Sequence, residues 1–346
     1  MSINHATPAA FYAQRPDRND YYEIALQLPE SGFDLFGFGG MKESRGKKND
    51  QPDAYEMAMK KGYHLVKGKS AFMQLERLPG KTIVVNDVIE PEDASVPYVI
   101  DQDSTGMKLS GFVRKSISLL DNPHGFFIMV EGGLMDWACH SNDAATTIHE
   151  VLDFDAAIGA ALDFMKQHPD ETLIVVTADH ETGGMSLGSA LTKYEGDFRL
   201  LSHQKVSQVA LKDAVHAFRS SCQGNCTLDK FMPVIASKTG LGKEIPLTDF
   251  DRVQIQMAFR ASIMNQMPFP GKESNYLLYG DEDPLSVTLV KIMSQKAGVG
   301  WTTWSHTGVA VPVRALGVNQ TAFCGYLQNT DIPRLILESM GLPASN

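Results

Sequence analysis

The segment that follows one short apolar run carries side chains that could bind a metal ion. Glu131, Asp136 and His140 come soon after the run that ends at Val130. Asp136 and His140 are four residues apart, so one turn of helix would put both on the same face. An oxygen ligand beside a nitrogen ligand suits zinc better than calcium, which takes oxygen ligands throughout. A solvated acid and a hydrogen-bonded histidine at the start of a helix would explain this segment equally well.

A second segment favours the metal-binding interpretation. Asp179 and His180 stand at the end of another predicted strand, within Thr177-Ala-Asp-His-Glu181. Open α/β sheets bind their ligands at the carboxyl ends of the strands. Two strand ends that each deliver an Asp/His pair are more typical of a metal site than of core packing. A third candidate, His306, lies in a turn before a predicted strand, and only the fold could bring it to the other two segments.

The elements that must position these residues are short apolar runs and a long helix. Thr82–Asn86, Gly125–Val130 and Thr172–Thr177 lack alternation and are rich in β-branched or aromatic residues, as strands buried in a parallel sheet are. The apolar spacing of Ala144–His168 predicts a helix between the last two. Strand, helix and strand in this order predict a right-handed crossover. We therefore expect an α/β fold with a mostly parallel central sheet flanked by helices, and a further strand at Phe33–Phe38.

The composition changes after Gly188, where amphipathic helical patterns replace buried strands. The elements predicted beyond that point are the helices Val206–Arg219, Asp251–Met264, Pro284–Ala297 and Asp331–Met340 and the strand Val309–Ala315. The interruption of the sheet pattern predicts a discontinuous α/β core, residues 1–188 and 301–346. Residues 189–300 are then an inserted helical cap or interface segment.

Composition excludes several classes of protein. The 346 residues are 43% hydrophobic and 21% charged, as in a globular protein with a sizeable core. A formal net charge of −10 argues against a nucleic-acid binder. No apolar stretch approaches the ~20 residues of a membrane span, and the first residues lack the features of a signal peptide. Of the four cysteines, Cys222 and Cys226 could form a local bridge in an exported protein.

Taken together, these motifs resemble those of the alkaline phosphatases. VEGG-x-x-D-W-x-x-H, TADHETGG, the HTG near the C-terminus, HATPAAFYA near the start and the closing N-T-D-I all stand where that family has them. The resemblance covers the whole chain and is loosest across the inserted segment. It implies hydrolysis of phosphate monoesters by two zinc ions and one magnesium ion. It also implies a homodimer and export to the periplasm or the cell surface.

The resemblance implies a metal-binding role for particular residues. The implied zinc ligands are Asp136, His140 and His306 for the first ion and Asp179 and His180 for the second. Thr7 and Glu131 correspond to magnesium ligands. His5 stands where some relatives have an aspartate, so it would act through water or alter the metal preference.

The resemblance also implies which residues contact the phosphate. Arg18 corresponds to the arginine that binds the phosphate, a task for which its planar guanidinium is suited through paired hydrogen bonds. By composition alone, Arg15 is an equally good candidate. Trp137 stands where relatives carry Lys, His or Trp near the phosphate, a difference that affects rate rather than reaction type.

The chain departs from the family pattern at its start. In the family, a substantial block precedes the HATPA segment and carries a shared metal-binding aspartate and the nucleophilic serine. We therefore expect an N-terminally truncated relative in which the second zinc lacks a ligand and no nucleophile is supplied. We also expect an exposed edge of the sheet and poor solubility. The nearest match to the serine's context, Asp103-Ser104-Thr105, lies in a polar loop and is not expected to replace it.

Three functions agree with these residues. The first is hydrolysis of phosphate monoesters, incomplete in this chain. The second is a non-catalytic zinc- or phosphate-binding protein that keeps one full zinc site. The third is a related two-metal hydrolase acting on phosphodiesters or sulfate esters. The position of Arg18 and the VEGG and HTG contexts favour monoesters through the resemblance.

Overall fold

The chain forms two compact units. The computed structural model describes residues 1–103, 106–222 and 224–343. The first unit contains Met1–Gly133 and Asp153–Ala161, and the second contains Leu134–Leu152 and the residues from Leu162 onward. The division predicted from the sequence, a core of residues 1–188 and 301–346 with an inserted segment, differs from these two units. That division stays a prediction.

The first unit is built on a three-stranded parallel sheet. Its strands are β1 (Leu35–Phe38), β2 (His64–Lys67) and β3 (Thr82–Val85). Its helices are α1 (Ala6–Ala10), α2 (Tyr21–Gln27), α3 (Ala54–Lys60), α4 (Lys69–Met73) and α5 (Leu109–Leu120). The strand order is β1-β3-β2, and Thr82 lies opposite both Leu35 and His64. This sheet confirms the strands expected near Phe33–Phe38 and Thr82–Asn86.

Strand β3 is buried because both faces of the sheet are covered. Ile83 belongs to a core cluster that includes Leu28 and Ala58, whereas Val84 belongs to another cluster with Phe72. Successive residues of a strand point to opposite faces, so an uninterrupted apolar run is what a doubly covered strand requires. The lack of alternation between apolar and polar residues therefore correctly predicted that both faces of β3 are buried.

The run Gly125–Val130 does not form the strand that the sequence predicts. Residues 125–130 have no regular secondary structure. No hydrogen bond among the described residues involves the backbone of residues 127–130. Val130 is partly buried against Val113 of α5. A run of apolar residues indicates that the segment is buried. A strand also needs a neighbouring backbone that pairs with its N–H and C=O groups.

In the part of the chain that the structure describes, the second unit combines eight helices with three short strand pairs. Its helices are α6 (Gly133–His140), α7 (Ala144–Gln167), α8 (Gln208–Ser221), α9 (Leu228–Thr239), α10 (Asp249–Met264), α11 (Lys272–Tyr279), α12 (Pro284–Ala297) and α13 (Asp331–Ser339). Its strands are β4 (Leu173–Val176), β5 (Glu181–Thr182), β6 (Ser186–Leu187), β7 (Val299–Gly300), β8 (His306–Thr307) and β9 (Arg314–Gly317). The pairs are β4 with β9, β5 with β8 and β6 with β7, all antiparallel. Helix α7 contributes Asp153–Ala161 to the first unit.

The chain also has short 3-10 helices. They cover Leu28–Glu30, Val99–Asp101, Phe198–His203 and Gln320–Phe323. Among the described residues, none of the helices combines the length and the apolar character that crossing a membrane requires.

Two strand predictions in this unit need correction. The run Thr172–Thr177 forms β4, but β4 pairs antiparallel with β9 instead of joining a parallel sheet. The strand predicted at Val309–Ala315 begins only at Arg314. The right-handed crossover predicted from Gly125–Val130 is therefore wrong, because its first strand is missing and its second has an antiparallel partner. The apolar pattern carries no information about the direction of pairing.

The helix predictions are confirmed to within two residues at each end. Capping residues explain why the helix ends were predicted accurately, because they lie within a few positions of the ends that they cap. Thr248 and Asp251 form a capping box at the start of α10. Asp283 caps α12, whose first residue is Pro284, and Gly298 ends that helix with a φ of 86°.

Helix α12 lies at the centre of the core of the second unit. Leu285, Leu289 and Met293 on this helix are completely buried. At its C-terminal end, Lys296 forms an ion pair with Asp251 of α10, with 2.8 Å between Nζ and Oδ2. At the end of α8, Cys222 and Cys226 form the local disulfide that their spacing allowed.

Candidate metal centre

Helix α6 places Asp136 and His140 on one face, as their spacing predicted. The Nε2 atom of His140 lies 3.5 Å from Oδ1 of Asp136. The Nδ1 atom of His140 lies 2.5 Å from the carbonyl oxygen of Trp304. A carbonyl oxygen can only accept, so we assign the ring proton to Nδ1. The lone pair of Nε2 is then directed toward Asp136 and is available to a metal ion.

A short strand pair brings His306 to the same place. In the β5–β8 ladder, Thr182 lies opposite His306 and Glu181 lies opposite Thr307. The hydroxyl group of Thr307 donates a hydrogen bond to the carboxylate of Glu181. The backbone N–H of Gly183 donates to the carbonyl oxygen of Ser305 over 2.9 Å. This ladder joins two segments that are far apart in the sequence.

The distances among Asp136, His140 and His306 fit one tetrahedral ion. The Nε2 atoms of the two histidines are 3.2 Å apart. Oδ1 of Asp136 is 3.8 Å from Nε2 of His306, in addition to its 3.5 Å separation from His140. Two ligand atoms about 2.0–2.1 Å from a tetrahedral zinc ion lie roughly 3.3 Å apart. The geometry and the donor atoms therefore both suit zinc.

The second Asp/His pair adjoins this triad. The Nε2 atom of His180 lies 3.4 Å from Oδ2 of Asp179. The His180 ring stacks on the His306 ring, with centroids 3.5 Å apart. Ligand atoms of Asp136, His180 and His306 all lie within 4.8 Å of one another. The structure thus brings together all five zinc ligands that the resemblance implied.

Thr182 connects the two groups of ligands, and the sequence analysis missed it. Its hydroxyl group donates a hydrogen bond of 2.5 Å to Oδ1 of Asp136. The same oxygen lies 3.2 Å from Nδ1 of His180. The only signal for Thr182 in the sequence was its place directly after the TADHE segment. The carbonyl group of Trp304 was also missed, because a backbone atom leaves no mark on residue type.

The protonation states of nearby groups suit metal binding. Burial lowers the pKa of His306 below its ordinary value, and the neighbouring His180 lowers it further. A neutral imidazole is the form that binds a metal ion. Burial raises the pKa of the Cys139 thiol in α6 to about 11, so this thiol is protonated at neutral pH. In this environment Cys139 is therefore not an activated nucleophile.

The other predicted site residues, apart from Trp137, lie in the first unit. Thr7 is in α1, and the ring of His5 just before it stacks on Tyr21 with centroids 5.8 Å apart. Glu131 follows the apolar run that ends at residue 130. Arg18 is exposed in the loop between α1 and α2. Their roles stay predictions.

The sequence also singled out Trp137, Arg15 and the segment Asp103-Ser104-Thr105. Trp137 follows Asp136 in α6. Arg15, the alternative to Arg18, forms an ion pair with Asp20, with 3.0 Å between Nη2 and Oδ2. In the segment Asp103-Ser104-Thr105, the serine and the threonine lie outside the described residues.

The fold and this site define a class: α/β proteins with a cluster of carboxylate and imidazole ligands, as metal-dependent hydrolases have. The sequence model of the family described as Alkaline phosphatase matches residues 38–342. The chain belongs to this family, whose members are metal-dependent. The resemblance seen in the motifs and the α/β fold class are confirmed.

Curated relatives carry the same family name. Alkaline phosphatase 4 of Bacillus subtilis (strain 168) is 28% identical over 343 residues, which cover 97% of this chain and 65% of that protein. Alkaline phosphatase 3 of the same organism is 28% identical over 346 residues, which cover 98% of this chain and 66% of that protein. The chain thus spans about two thirds of the length of these relatives.

Solved structures of alkaline phosphatases resemble this fold. The cold-active enzyme from the psychrophile Shewanella sp. has a TM-score of 0.75 and 30% identity, over 98% of this chain and 73% of that one. The Thermus thermophilus enzyme has a TM-score of 0.77 and 25% identity, over 100% of this chain and 70% of that one. A Mg-bound variant of the TAB5 enzyme is 22% identical with a TM-score of 0.61, over 99% of this chain and 70% of that one, a likeness of fold.

Proposed function

We propose that this chain takes part in the hydrolysis of phosphate monoesters at a centre of two zinc ions and one magnesium ion. The observation that carries the proposal is the set of three distances, 3.2, 3.5 and 3.8 Å, among the ligand atoms of Asp136, His140 and His306. Family membership supports the substrate class. The donor set supports zinc over the hard cations.

The proposed ligands are divided among the three ions. Asp136, His140 and His306 hold the first zinc ion, and Asp179 and His180 hold the second. Glu131 and Thr7 bind magnesium, and His5 contributes through a water molecule. Two zinc ions at such a site supply positive charge for the attacking and the leaving oxygen atoms of a phosphoryl group.

The chain's own side chains bind and orient the substrate. Arg18 donates paired hydrogen bonds to the phosphate, and its engagement is favoured over that of Arg15, which is already paired with Asp20. Trp137 lies next to a ligand in α6 and forms one side of the phosphate site. We assign no nucleophilic side chain to this chain, and we propose that the hydrolytic machinery in it is incomplete.

A second candidate function is a non-catalytic zinc-binding protein. The specific support is the difference between the two zinc sites. The triad of Asp136, His140 and His306 offers three ligands at distances that suit one ion. The pair Asp179 and His180 offers two ligands, one fewer than the triad.

We further propose a homodimer formed through the helical segment and export to the periplasm or the cell surface. Helix α10 supports the dimer, because four apolar side chains on it are exposed, including Met264 at 44%. Phe250, Val253 and Met257 have exposed fractions of 67%, 55% and 37%. Exposed apolar patches are typical of interaction surfaces. Export rests on family membership alone.

The decisive experiment is hydrolysis of p-nitrophenyl phosphate at alkaline pH with zinc and magnesium present. Asp136→Ala and His306→Ala test the triad, and a chelator tests the metal. The matched control is His216→Ala, an exposed histidine of α8. Activity that is lost with the chelator and in both triad variants, but kept in the control, supports hydrolysis. Zinc binding without turnover supports the second function, and turnover of a phosphodiester or a sulfate ester instead would overturn the substrate class.

A further inference from the structure

We propose that Thr182 is a positioning residue that couples the two zinc sites through its side-chain hydroxyl. The hydroxyl holds the carboxylate of Asp136 and fixes which ring nitrogen of His180 carries the proton. Because Thr182 acts through metal ligands, this role rests on the metal centre proposed above.

The direction of each hydrogen bond follows from the chemistry of the groups. The hydroxyl oxygen of Thr182 lies 2.5 Å from Oδ1 of Asp136. An ionised carboxylate only accepts, so the single hydroxyl proton of Thr182 is donated to Asp136. The same oxygen lies 3.2 Å from Nδ1 of His180, so in this second hydrogen bond the imidazole N–H must be the donor. The ring proton of His180 is therefore on Nδ1.

The consequence is a lone pair at the other ring nitrogen. With the proton on Nδ1, Nε2 of His180 is free to bind a metal ion, and it lies 3.4 Å from Oδ2 of Asp179. One hydroxyl therefore restrains a ligand of the first zinc site and sets the tautomer of a ligand of the second. Ligating histidines generally need such a partner to fix the tautomer and the ring orientation.

The fold holds this hydroxyl in place. Thr182 is only 7% exposed. Its backbone pairs with His306 in the β5–β8 ladder, so the strand cannot shift without moving a third ligand. A β-branched side chain has few rotamers available, which limits the positions of the hydroxyl.

Three substitutions separate the hydroxyl from the shape of the side chain. Thr182→Val keeps the shape and removes the hydroxyl, whereas Thr182→Ser keeps the hydroxyl. The matched control is Thr302→Val, because Thr302 lies in the same region but donates to the carbonyl oxygen of Gly184 over 3.2 Å. Binding of cobalt(II) to the full chain is measured by competition with a chelator and by its visible absorption.

We expect Thr182→Val to weaken cobalt binding by about 10–100-fold, the usual cost of losing a partner of a metal ligand. Thr182→Ser should bind within about threefold of the unsubstituted chain, and Thr302→Val should be unchanged. Equal binding by Thr182→Val and the unsubstituted chain, with melting temperatures that match, would overturn the proposal. So would equal losses in the serine and valine variants.

A second measurement needs neither a metal ion nor a variant. The ¹⁵N chemical shifts of His180 in the metal-free chain report its tautomer, and we expect the proton on Nδ1. A proton on Nε2 would overturn the role of Thr182, even if the valine variant fails to fold. If the unsubstituted chain binds no cobalt while His180 carries its proton on Nδ1, the proposed metal function fails and the hydrogen-bond assignment stands.

Discussion

At the scale of single residues, the candidate centre depends on partners that fix the histidine rings. His140 donates to the carbonyl oxygen of Trp304. A Cβ atom added to Gly280 would lie 2.7 Å from the Trp304 ring. The end of α11 therefore packs directly against a residue that orients a ligand.

The first prediction concerns Gly280→Ala, with Gly271→Ala as its control. Both glycines have positive φ, 66° and 106°, but no atom lies within 4 Å of a Cβ built on Gly271. Each substitution should destabilise the chain by about 1 kcal/mol or more through backbone strain. Only Gly280→Ala should also weaken zinc binding, by displacing Trp304. Isothermal titration and thermal unfolding measure the two effects, and equal zinc affinities would contradict this link.

A residue-scale contact at Ser305 gives a second prediction. The hydroxyl group of Tyr276 in α11 lies 2.9 Å from the hydroxyl oxygen of Ser305, the residue before His306. Tyr276→Phe should weaken zinc binding by a few-fold, because it removes a restraint on the turn that carries a ligand. Tyr194→Phe is the control, since Tyr194 is fully exposed. Unchanged affinity in both variants would mean that the turn is held without Tyr276.

At the scale of elements, the second unit depends on the packing of α10 against α12. Lys296 and Asp251 have side chains that are only 12% and 3% exposed. Burial alone would raise the pKa of Asp251, but hydrogen bonds from Lys296 and Thr248 outweigh it and lower the pKa. The lowered pKa means that the native state favours the ionised carboxylate.

The third prediction is that Lys296→Met destabilises the chain by about 3 kcal/mol at neutral pH, because it leaves a buried charge without its partner. Lys243→Met is the control, since Lys243 pairs with Glu244 while its side chain is 72% exposed. It should leave the free energy of unfolding nearly unchanged, because an exposed ion pair contributes little to stability. Urea unfolding measures both values.

The loss of stability in Lys296→Met should depend on pH, and the direction follows from the lowered pKa of Asp251. A carboxylate whose pKa is lowered in the native state stabilises the fold above its unfolded pKa of about 3.9. This stabilisation is lost as the pH falls through the lower native value. The gap in unfolding free energy between the unsubstituted chain and Lys296→Met should therefore shrink below about pH 4. A gap that stays constant down to pH 2 would show that the loss comes from packing instead.

Also at this scale, the groove beside β1 explains the failed strand prediction. Phe127–Val130 and β1 both line a groove of about 220 Å³, together with apolar side chains of α5. Strand β1 pairs only with β3, so one of its edges carries no strand among the described residues. The apolar side chains of residues 127–130 are therefore explained by the groove and by contact with α5.

At the scale of the whole molecule, the exposed apolar side chains of α10 suggest an interface between copies of the chain. The fourth prediction is that Val253→Asp converts a dimer into a monomer, because a buried carboxylate would be unpaired at the interface. Val309→Asp is the control, since Val309 is 64% exposed and lies outside the helical segment. Sedimentation velocity measures the mass. A monomeric unsubstituted chain would contradict the proposed dimer.

Much of the fold could be predicted because its signals are local. Helices α7, α8, α10, α12 and α13 were located from apolar spacing and capping residues, which act within a few positions of each other. The buried strand β3 was also correct. The strand pairings in the second unit could not be predicted, because pairing joins residues far apart in the sequence and depends on backbone atoms common to every residue.

The sequence by itself determined the chemistry of the candidate site. Asp136 and His140 share a helix face because the helical repeat is a local property, and Asp179 and His180 are adjacent in the chain. The tertiary structure decided how these ligands meet. The β5–β8 ladder helps to bring His306 within 3.2 Å of His140, and it places the hydroxyl of Thr182 between Asp136 and His180. Side-chain type fixes what a residue can bind, whereas its neighbours across a ladder are fixed only when the whole chain has folded.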